Sequence, residues 1–463
     1  MKHIHFIGIC GVAMSALAIA FQKKGFRITG SDVGFYPPVS TYLKTAGVAY
    51  YPGWHPEKMS AQGDPDIVVV GNVAGSQNPE WLYVKEKHIE YKSYPEIIAQ
   101  FFVQKNSIVC AGTYGKTTSS SLLAWTLKET GFNPSYMFGG ISLNDMPAAE
   151  LTDSDYSILE GDEYKTARWD NGPKFAHYSP THLLLTSVVW DHADVYPTEQ
   201  SYIEAFENLV KKLPLTGLLV LSAKVYHDHA HFKDLTEAKI ITYGRTEDND
   251  YQYFDVVQTK DGITFKIKYK SLIFTLESSS LGDYMADNMT GCFAMAHQLG
   301  IAPKKIIDTF SGFKNIKRRL EKHYSNGITI FDDIAHSPKK AEAVLRSLRN
   351  IYTGKICAIF EPNTGNRQTE AIPGYDNAFK DADTVLIPRL TKVKQDPDKP
   401  EVFEGLNLSN VISKTHRNSH YIEDDDKLIQ YIKTTAKEGD VVIFLGSHGF
   451  RGMIEELVKS LKG

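Results

Sequence analysis

Short apolar runs alternate with longer helical stretches along most of the chain, and this is the pattern of α/β proteins. In the N-terminal region, a glycine-containing turn at 8–11 separates the first apolar run from a helical stretch. Strands that follow one another through helices predict a parallel sheet. The elements predicted for this region are strands at 3–9, 26–29, 65–71 and 89–91 and a helix at 12–24.

The strand–turn–helix pattern starts again near residue 105 and once more near residue 313. Alternating residues between 242 and 276 predict β hairpins, with one turn at 260–262. The remaining predicted elements are strands at 107–111, 156–160, 182–186, 329–332, 356–360, 384–387 and 441–445 and helices at 119–130, 286–300 and 338–349.

The glycine-rich turn after the strand at 107–111 carries the strongest chemical signal in the chain, and it reads Gly112-Thr-Tyr-Gly-Lys-Thr-Thr118. Backbone N–H groups at such a turn, together with the positive end of the following helix, favour an anion. Lys116 adds a cation for the terminal phosphates, and the hydroxyl of Thr117 is a ligand for Mg²⁺. The first glycine of the full Walker pattern falls at Cys110, so an ordinary glycine-capped turn is the alternative. The turn predicts a nucleoside triphosphate site.

We therefore predict an α/β fold of three domains. These are a Rossmann-like domain at 1–104, a central P-loop ATPase-like domain at 105–312 and a C-terminal Rossmann-like α/β domain at 313–463.

Polar blocks follow several other predicted strands. Carboxylates at 160–163 suit Mg²⁺, and the acids and histidine at 191–194 are placed to reach a second metal or a substrate carboxylate, with helix capping as the alternative for each. Basic residues at 317–319 suit a γ-phosphate, with a solvated basic face as the alternative. Acids and a histidine at 332–336 suit a ribose, a phosphate or the substrate.

Composition narrows the class of protein. The 463 residues are 42% apolar and 23% charged, which is typical of a globular enzyme. Because the net charge is −4, we expect no general electrostatic attraction to nucleic acid or to an anionic membrane. Four separated cysteines and the absence of a signal-like leader predict a cytoplasmic protein without membrane insertion. The turn at 8–11 lacks the glycines of a nicotinamide fingerprint. We favour a solvated loop over a metal site for the histidines at 227–231, and a helix N-terminus for the aspartates at 424–426.

These blocks, in this order, resemble the ATP-dependent Mur ligases of bacterial cell-wall synthesis, and the resemblance covers nearly the whole chain. The matching blocks are Gly-Thr-x-Gly-Lys-Thr-Thr at 112–118, Glu-x-Asp-Glu at 160–163, Asp-His-x-Asp at 191–194, Lys-Arg-Arg at 317–319 and Asp-Asp-x-x-His at 332–336. The resemblance implies ATP and Mg²⁺ as cofactors, and UDP-N-acetylmuramate plus a peptide or amino acid as substrates. We expect a monomer.

Two activities in this family start from UDP-N-acetylmuramate itself. One adds L-alanine, and the other attaches the recycled tripeptide L-Ala-γ-D-Glu-meso-diaminopimelate. The residues at 3–11, 30–41, 163–164, 174–178 and 361–362 are more similar to those of the tripeptide enzyme. We therefore predict that activity, with the L-alanine ligase as the alternative. A folate polyglutamate synthase would share the phosphate turn but not the UDP-type first domain. A non-catalytic nucleotide-binding regulator is the alternative of another class.

The resemblance also implies a role for each matching residue. Lys116, His192, Arg319 and His336 are implied as catalytic, with the general base left open between the two histidines. The implied ATP-binding residues are Gly112, Thr113, Tyr114, Gly115, Lys116, Thr117, Thr118, Asn288 near the adenine, Arg319 at the γ-phosphate and Asp333, while Thr117, Glu163 and His192 are the implied Mg²⁺ ligands. The implied UDP-sugar residues are Gly8, Ile9, Cys10, Gly11, Ser31 and Asp32.

The chain also departs from the family pattern at three sites. Tyr114 and Ser337 stand where the family usually has histidines. Met285 lies in the block at 282–285, which departs from the family pattern directly before the predicted helix at 286–300 that carries Asn288.

Overall fold

A computed structural model describes residues 1–36, 39–192, 195–392 and 402–462. The chain forms two compact units. The first unit comprises Met1–Asp255, Phe265–Glu277 and Ala286–Asn315, and the second comprises Val256–Thr264, Ser278–Met285 and Ile316–Gly463. Asp194, which closes one predicted motif, lies outside the described residues.

The N-terminal sheet belongs to the first unit and has five parallel strands in the order β3-β2-β1-β4-β5. All five residues of β1 and all four of β4 are buried, which explains their continuous apolar sequence. The elements are β1 (His3–Ile7), α1 (Val12–Lys23), β2 (Arg27–Asp32), α2 (Val39–Thr45), β3 (Ala49–Pro52), α3 (Pro56–Met59), β4 (Ile67–Val70), α4 (Pro79–Glu86), β5 (Glu90–Lys92) and α5 (Tyr94–Phe101).

The central sheet has ten strands in the order β17-β16-β15-β14-β13-β12-β6-β9-β7-β8, and a small antiparallel hairpin, β10–β11, accompanies it. The strands from β12 to β9 around the phosphate turn are parallel, so their carboxyl ends share one edge of the sheet. The strands are β6 (Asn106–Ala111), β7 (Ser135–Met137), β8 (Ala149–Glu150), β9 (Tyr156–Gly161), β10 (Lys165–Ala167), β11 (Asp170–Pro173), β12 (His182–Leu185), β13 (Leu218–Ser222), β14 (Lys239–Gly244), β15 (Tyr251–Thr259), β16 (Gly262–Tyr269) and β17 (Leu272–Ser278). The helices are α6 (Lys116–Glu129), α7 (Glu199–Val210), α8 (Ala223–Asp228), α9 (Tyr284–Gln298) and α10 (Pro303–Ser311).

The third sheet belongs to the second unit and has the order β18-β19-β23-β20-β21-β22. Its edge strand β18 pairs antiparallel with β19, and the pairings β19–β23, β23–β20, β20–β21 and β21–β22 are parallel. The elements are β18 (Glu321–Asn326), β19 (Ile328–Asp333), α11 (Pro338–Arg349), β20 (Ile356–Glu361), β21 (Thr384–Pro388), α12 (Gly405–Ser413), β22 (Ser419–Ile422), α13 (Asp425–Thr435), β23 (Val441–Gly446) and α14 (Met453–Leu461).

Most predicted elements are confirmed, and the differences have local causes. The first strand ends at Ile7 rather than residue 9, because Gly8 turns the chain with φ 88°. The helix after the phosphate turn begins at Lys116 rather than 119, because Gly115 adopts a left-handed conformation directly before it. The hairpin turn at 260–262 is present, and Asp424 caps α13 by accepting from Lys427 N.

The predicted α/β class is confirmed, whereas the boundaries at 104/105 and 312/313 stay predictions. Within the described ranges, no helix has the length and apolar character needed to cross a membrane.

Candidate active site

The phosphate turn joins β6 to α6, and two of its positions require glycine. A methyl group on Gly112 (φ 140°) would lie 2.2 Å from Oγ1 of Thr186, and one on Gly115 (φ 82°) would lie 2.3 Å from Oδ1 of Asn288. Tyr114 N donates to Ser187 Oγ (2.9 Å), so the turn is fastened to the residues after β12. The backbone is therefore fixed in a conformation that only glycine permits at both positions.

Asn288, the residue predicted near the adenine, lies on α9 directly beside Gly115 and is 7% exposed. The structure thus brings this residue to the phosphate turn, although they are far apart in sequence. Its role as an adenine contact stays a prediction.

Replacing Gly115 with alanine is expected to weaken nucleotide binding. The new methyl group would push on Asn288, and the positive φ adds strain of about 1 kcal/mol. We expect ADP affinity to fall by about tenfold or more, measured by calorimetric titration. Gly131→Ala is the matched control, since Gly131 has φ 89° but no atom within 4 Å of an added methyl group. Equal ADP affinity in both variants would contradict the assignment.

Lys116 and Thr117, the first residues of α6, reach carboxylates at the end of β9. Lys116 Nζ lies 3.0 Å from Glu163 Oε1, and Thr117 Oγ1 donates to Glu160 Oε1 (2.7 Å). Burial acts to lower the pKa of Lys116, but the charge of Glu163 and its neighbours outweighs it and raises that pKa. Lys116 is therefore a fixed cation. Burial raises the pKa of Glu160.

His192 completes this cluster. Its Nε2 lies 3.5 Å from Glu163 Oε1, and its backbone has φ 58°. Burial acts to lower the pKa of His192, but hydrogen bonding to Glu163 and the charge of Asp191 raise it overall. The structure therefore places Lys116 and His192 beside Glu163, and the predicted roles of the three residues stay predictions.

The cluster contains oxygen donors of the kind that magnesium prefers. Glu163 is 1% exposed, and its Oε2 has no hydrogen-bond partner. A buried carboxylate oxygen without a partner is costly unless a ligand satisfies it. With the Thr117 hydroxyl and Glu160 nearby, this oxygen fits a hard cation. The sequence block at 160–163 was predicted to suit Mg²⁺, but Glu160 was not among the ligands that the family resemblance implied.

The turn at 8–11 is fastened by Asp32. Cys10 N donates to Asp32 Oδ2 (2.8 Å), and Val33 N donates to its Oδ1 (2.7 Å). A cavity of about 630 Å³ is lined by Gly8, Cys10, Gly11 and Asp32 and extends within the same unit to Glu160 and Asp162. The first sheet's turn and the central sheet's carboxylates thus share one cavity.

Two other predicted UDP-sugar residues have buried side chains. Ile9 and Ser31 are both 0% exposed, and neither lines the cavity. Ser31 Oγ donates to Glu80 Oε2 (2.5 Å), and this buried carboxylate also accepts from Tyr51 OH. The side chain of Ser31 therefore ties β2 to α4. A UDP contact at these two residues stays a prediction.

In the second unit, Asp333 orders the backbone around the predicted basic block. Its Oδ2 accepts from Leu320 N and its Oδ1 from Ala335 N, both at 2.8 Å. Burial raises the pKa of Asp333, which is 3% exposed. His336 Nδ1 lies 2.7 Å from Ile334 O. The nucleotide and substrate roles of Asp333 and His336 stay predictions.

Arg318 anchors the basic block at 317–319, and this role was not predicted from the sequence. Its Nε donates to Asp332 Oδ2 (3.0 Å), and its two terminal nitrogens donate to backbone carbonyls at 446–448. Its backbone has φ 60°. Arg319 is partly exposed, and it keeps the predicted γ-phosphate role as a prediction.

Asp332 is expected to make stability depend on pH. Burial, only partly offset by the charge of Arg318, raises its pKa to about 6. The unfolded chain ionises this carboxyl near pH ~4, so the native state binds more protons between pH ~4 and ~6. The free energy of unfolding should therefore fall across this window as pH rises, by up to ~3 kcal/mol, and level off above it. Denaturant unfolding of the wild type and of Asp332→Asn at several pH values measures the contribution of Asp332 to the free energy of unfolding, because only the wild type has an ionisable group at position 332. A difference between the two that is constant with pH would contradict it.

Another group of possible metal ligands lies in the second unit, beside Arg318. In the described part of the chain, one group of three possible ligands lies within 4.8 Å: Glu321, His323 and Asp332. Arg318 already binds both of these carboxylates, through its backbone N and its Nε, and its charge opposes a cation.

The histidines at 227–231 do not converge. His231 contacts Glu207, His227 contacts Asp248, and His229 contacts a backbone carbonyl. The predicted loop is wrong, because His227 lies in α8 and Ala230–Leu235 form a 3₁₀ helix.

Comparisons with known proteins cover most of the chain. The models for the "Mur ligase family, catalytic domain", the "Mur ligase middle domain" and the "Mur ligase, glutamate ligase domain" match residues 3–106, 110–296 and 318–448. A UDP-N-acetylmuramate–L-alanyl-γ-D-glutamyl-meso-2,6-diaminoheptandioate ligase from Haemophilus influenzae is 29% identical, with 100% of both chains covered. A UDP-N-acetylmuramate–L-alanine ligase from Mesorhizobium japonicum is 28% identical, covering 99% of this chain and 97% of that one.

A solved structure, a murein peptide ligase from Psychrobacter arcticus, superposes with a TM-score of 0.72 at 26% identity, covering 100% of this chain and 99% of that one. The predicted resemblance and the three-domain α/β fold are thereby confirmed. The chain belongs to the Mur ligase family, whose members are ATP-dependent ligases that form amide bonds.

Proposed function

We propose that this protein joins UDP-N-acetylmuramate to the tripeptide L-Ala-γ-D-Glu-meso-diaminopimelate at the expense of ATP. The observation that carries the proposal is the single cavity that links the turn at 8–11 to the carboxylates beside the phosphate turn. A UDP-sugar held at the turn would direct its acid group toward the triphosphate site. The Haemophilus influenzae relative, matched over its full length, supports the choice of acceptor.

The proposed reaction proceeds in two steps. The lactyl carboxylate attacks the γ-phosphorus of ATP, the bond to the β,γ-bridging oxygen breaks, ADP leaves, and an acyl phosphate is formed. The amine of the incoming alanine residue then attacks the acyl carbon, and phosphate leaves as the amide forms. Lys116 and Arg319 are proposed to offset the negative charge on the transferred phosphoryl group. His336 is proposed to accept the proton that the attacking amine releases, because the ring nitrogen of His192 is proposed as a Mg²⁺ ligand.

Mg²⁺ bound at Thr117, Glu163 and His192, with Glu160 beside them, would neutralise charge on the phosphates. Glu163 supports this assignment best, since its Oε2 is buried and lacks a hydrogen-bond partner. The remaining residues of the phosphate turn are proposed to bind phosphate oxygens through their backbone N–H groups.

A second candidate is the L-alanine ligase activity. The Mesorhizobium japonicum relative favours it, because its identity is only one percentage point lower over nearly the same length. Both activities would use the same acyl phosphate and differ only in the acceptor.

Oxygen transfer tests the acyl phosphate directly. UDP-N-acetylmuramate labelled with ¹⁸O in its lactyl carboxylate should yield inorganic phosphate carrying one ¹⁸O atom, read by mass spectrometry. Unlabelled phosphate, formed alongside the amide, would contradict the proposed first step.

A further inference from the structure

The cavity that links the turn at 8–11 to the phosphate region has an unusual charge balance for an anionic ligand. Its described lining includes three carboxylates, Asp32, Glu160 and Asp162, and a single lysine or arginine, Lys174. A UDP-sugar acid carries negative charge on its diphosphate and on its carboxylate. Positive charge inside this cavity would favour its binding, and Lys174 is the lysine or arginine of the described lining that can supply it.

Lys174 is held in position by its neighbours. Its backbone N donates to Tyr164 O (3.0 Å), and the next residue, Phe175, donates to Asp162 O (3.2 Å). The side chain is 16% exposed, and its Nζ lies 2.5 Å from Asp162 Oδ2. An ammonium group has three N–H donors, so one bond to Asp162 leaves donors for a ligand oxygen.

Thr166 provides a second, independent observation in the same hairpin. Residue Thr166 lies in β10, and the pairing of Lys165 with Pro173 brings it beside the segment that carries Lys174. Thr166 is 2% exposed and lines the cavity, yet its Oγ1 has no hydrogen-bond partner. A buried hydroxyl without a partner, on a residue that lines a cavity, points to a ligand atom that accepts its hydrogen bond.

We propose that Lys174 and Thr166 form a subsite for an anionic oxygen group of the UDP-sugar acid. The inference rests on the proposed function and adds a recognition element from the β10–β11 hairpin. Two groups of the ligand share this chemistry, the diphosphate and the lactyl carboxylate. Lys174 donates a charge-assisted hydrogen bond and Thr166 a neutral one, so the lysine carries the larger share of affinity.

Binding of two UDP-sugars without ATP tests the subsite. Calorimetry would compare UDP-N-acetylmuramate with UDP-N-acetylglucosamine, which has the diphosphate but no lactyl carboxylate. Lys174→Met should weaken binding by about 10- to 100-fold, Lys174→Arg should recover part of the loss, and Thr166→Val should cost about threefold to tenfold. ADP binding should stay unchanged. Lys24→Met is the control, since it removes another lysine–aspartate pair (2.6 Å to Asp153) that does not line the cavity.

The outcomes separate cleanly. Loss for both sugars assigns the subsite to the diphosphate, and loss for the muramate alone assigns it to the carboxylate; each supports the proposal. Wild-type affinity for both sugars in Lys174→Met and Thr166→Val would overturn it. If Lys174→Met does not fold, the isosteric Thr166→Val decides alone. Failure of the wild type to bind UDP-N-acetylmuramate would instead overturn the proposed function on which the inference rests.

Discussion

Lys116→Met is expected to lose about a thousandfold or more in kcat for ATP-dependent phosphate release. The change removes the cation that lies 3.0 Å from Glu163 but keeps most of the apolar stem. The transferred phosphoryl group would then develop its charge without this compensation. Circular dichroism should show a folded protein with a lowered Tm, because Glu163 loses its partner while 1% exposed.

Lys128→Met is the matched control for this variant. Lys128 lies on the same helix, and its Nζ contacts Glu150 Oε2 at 2.7 Å, so the control also breaks a lysine–glutamate pair. We expect kcat to stay within about twofold of the wild type. An active Lys116→Met protein would overturn the assignment of the triphosphate site.

Glu163→Gln is expected to have the second largest effect, through Mg²⁺. The amide keeps the shape of the side chain but removes the negative charge from the buried Oε2 that lacks a partner. The Mg²⁺ concentration for half-maximal activity should rise by about tenfold or more, and kcat should fall by about a hundredfold at moderate Mg²⁺. High Mg²⁺ should restore part of the rate.

Glu150→Gln provides the comparison, since Glu150 also pairs with a lysine but takes no part in the proposed site. Its Mg²⁺ dependence should match that of the wild type. A Glu163→Gln enzyme whose Mg²⁺ dependence is also unchanged would exclude Glu163 as a metal ligand.

The phosphate turn could be predicted because its signal is local. An apolar run, two glycines and Lys-Thr-Thr lie within about a dozen residues, and each has a conformational or chemical meaning without the rest of the fold. Strands such as β4 and β23 were predictable for the same reason, since both are continuous apolar runs buried on both faces.

Contacts that depend on sheet register could not be predicted. Glu160 meets Thr117 because β9 pairs with β6 so that Cys110 lies opposite Glu160. Nothing in either segment alone states that register. The buried bond between Ser31 and Glu80 likewise joins residues that are 49 positions apart.

The directions of the arginine side chains at 317–319 also could not be predicted from the sequence. The block at 317–319 marked a basic site, but its sequence does not say which arginine turns toward the sheet. Arg318 and Leu320 have positive φ values, and the Arg318 guanidinium donates to the carbonyls of the last residue of β23 and of the two residues after it. Such values in residues other than glycine are uncommon, and they are imposed by the surrounding fold.

Acceptor choice is the most direct test of the whole account. Purified protein would be incubated with ATP, Mg²⁺ and UDP-N-acetylmuramate, together with either L-alanine or L-Ala-γ-D-Glu-meso-diaminopimelate. Phosphate release and the mass of the amide product would be followed in parallel. We expect stoichiometric phosphate and UDP-N-acetylmuramoyl-tripeptide with the tripeptide only. Product with L-alanine only would contradict the proposed acceptor, and no amide with either would contradict the proposed ligase reaction.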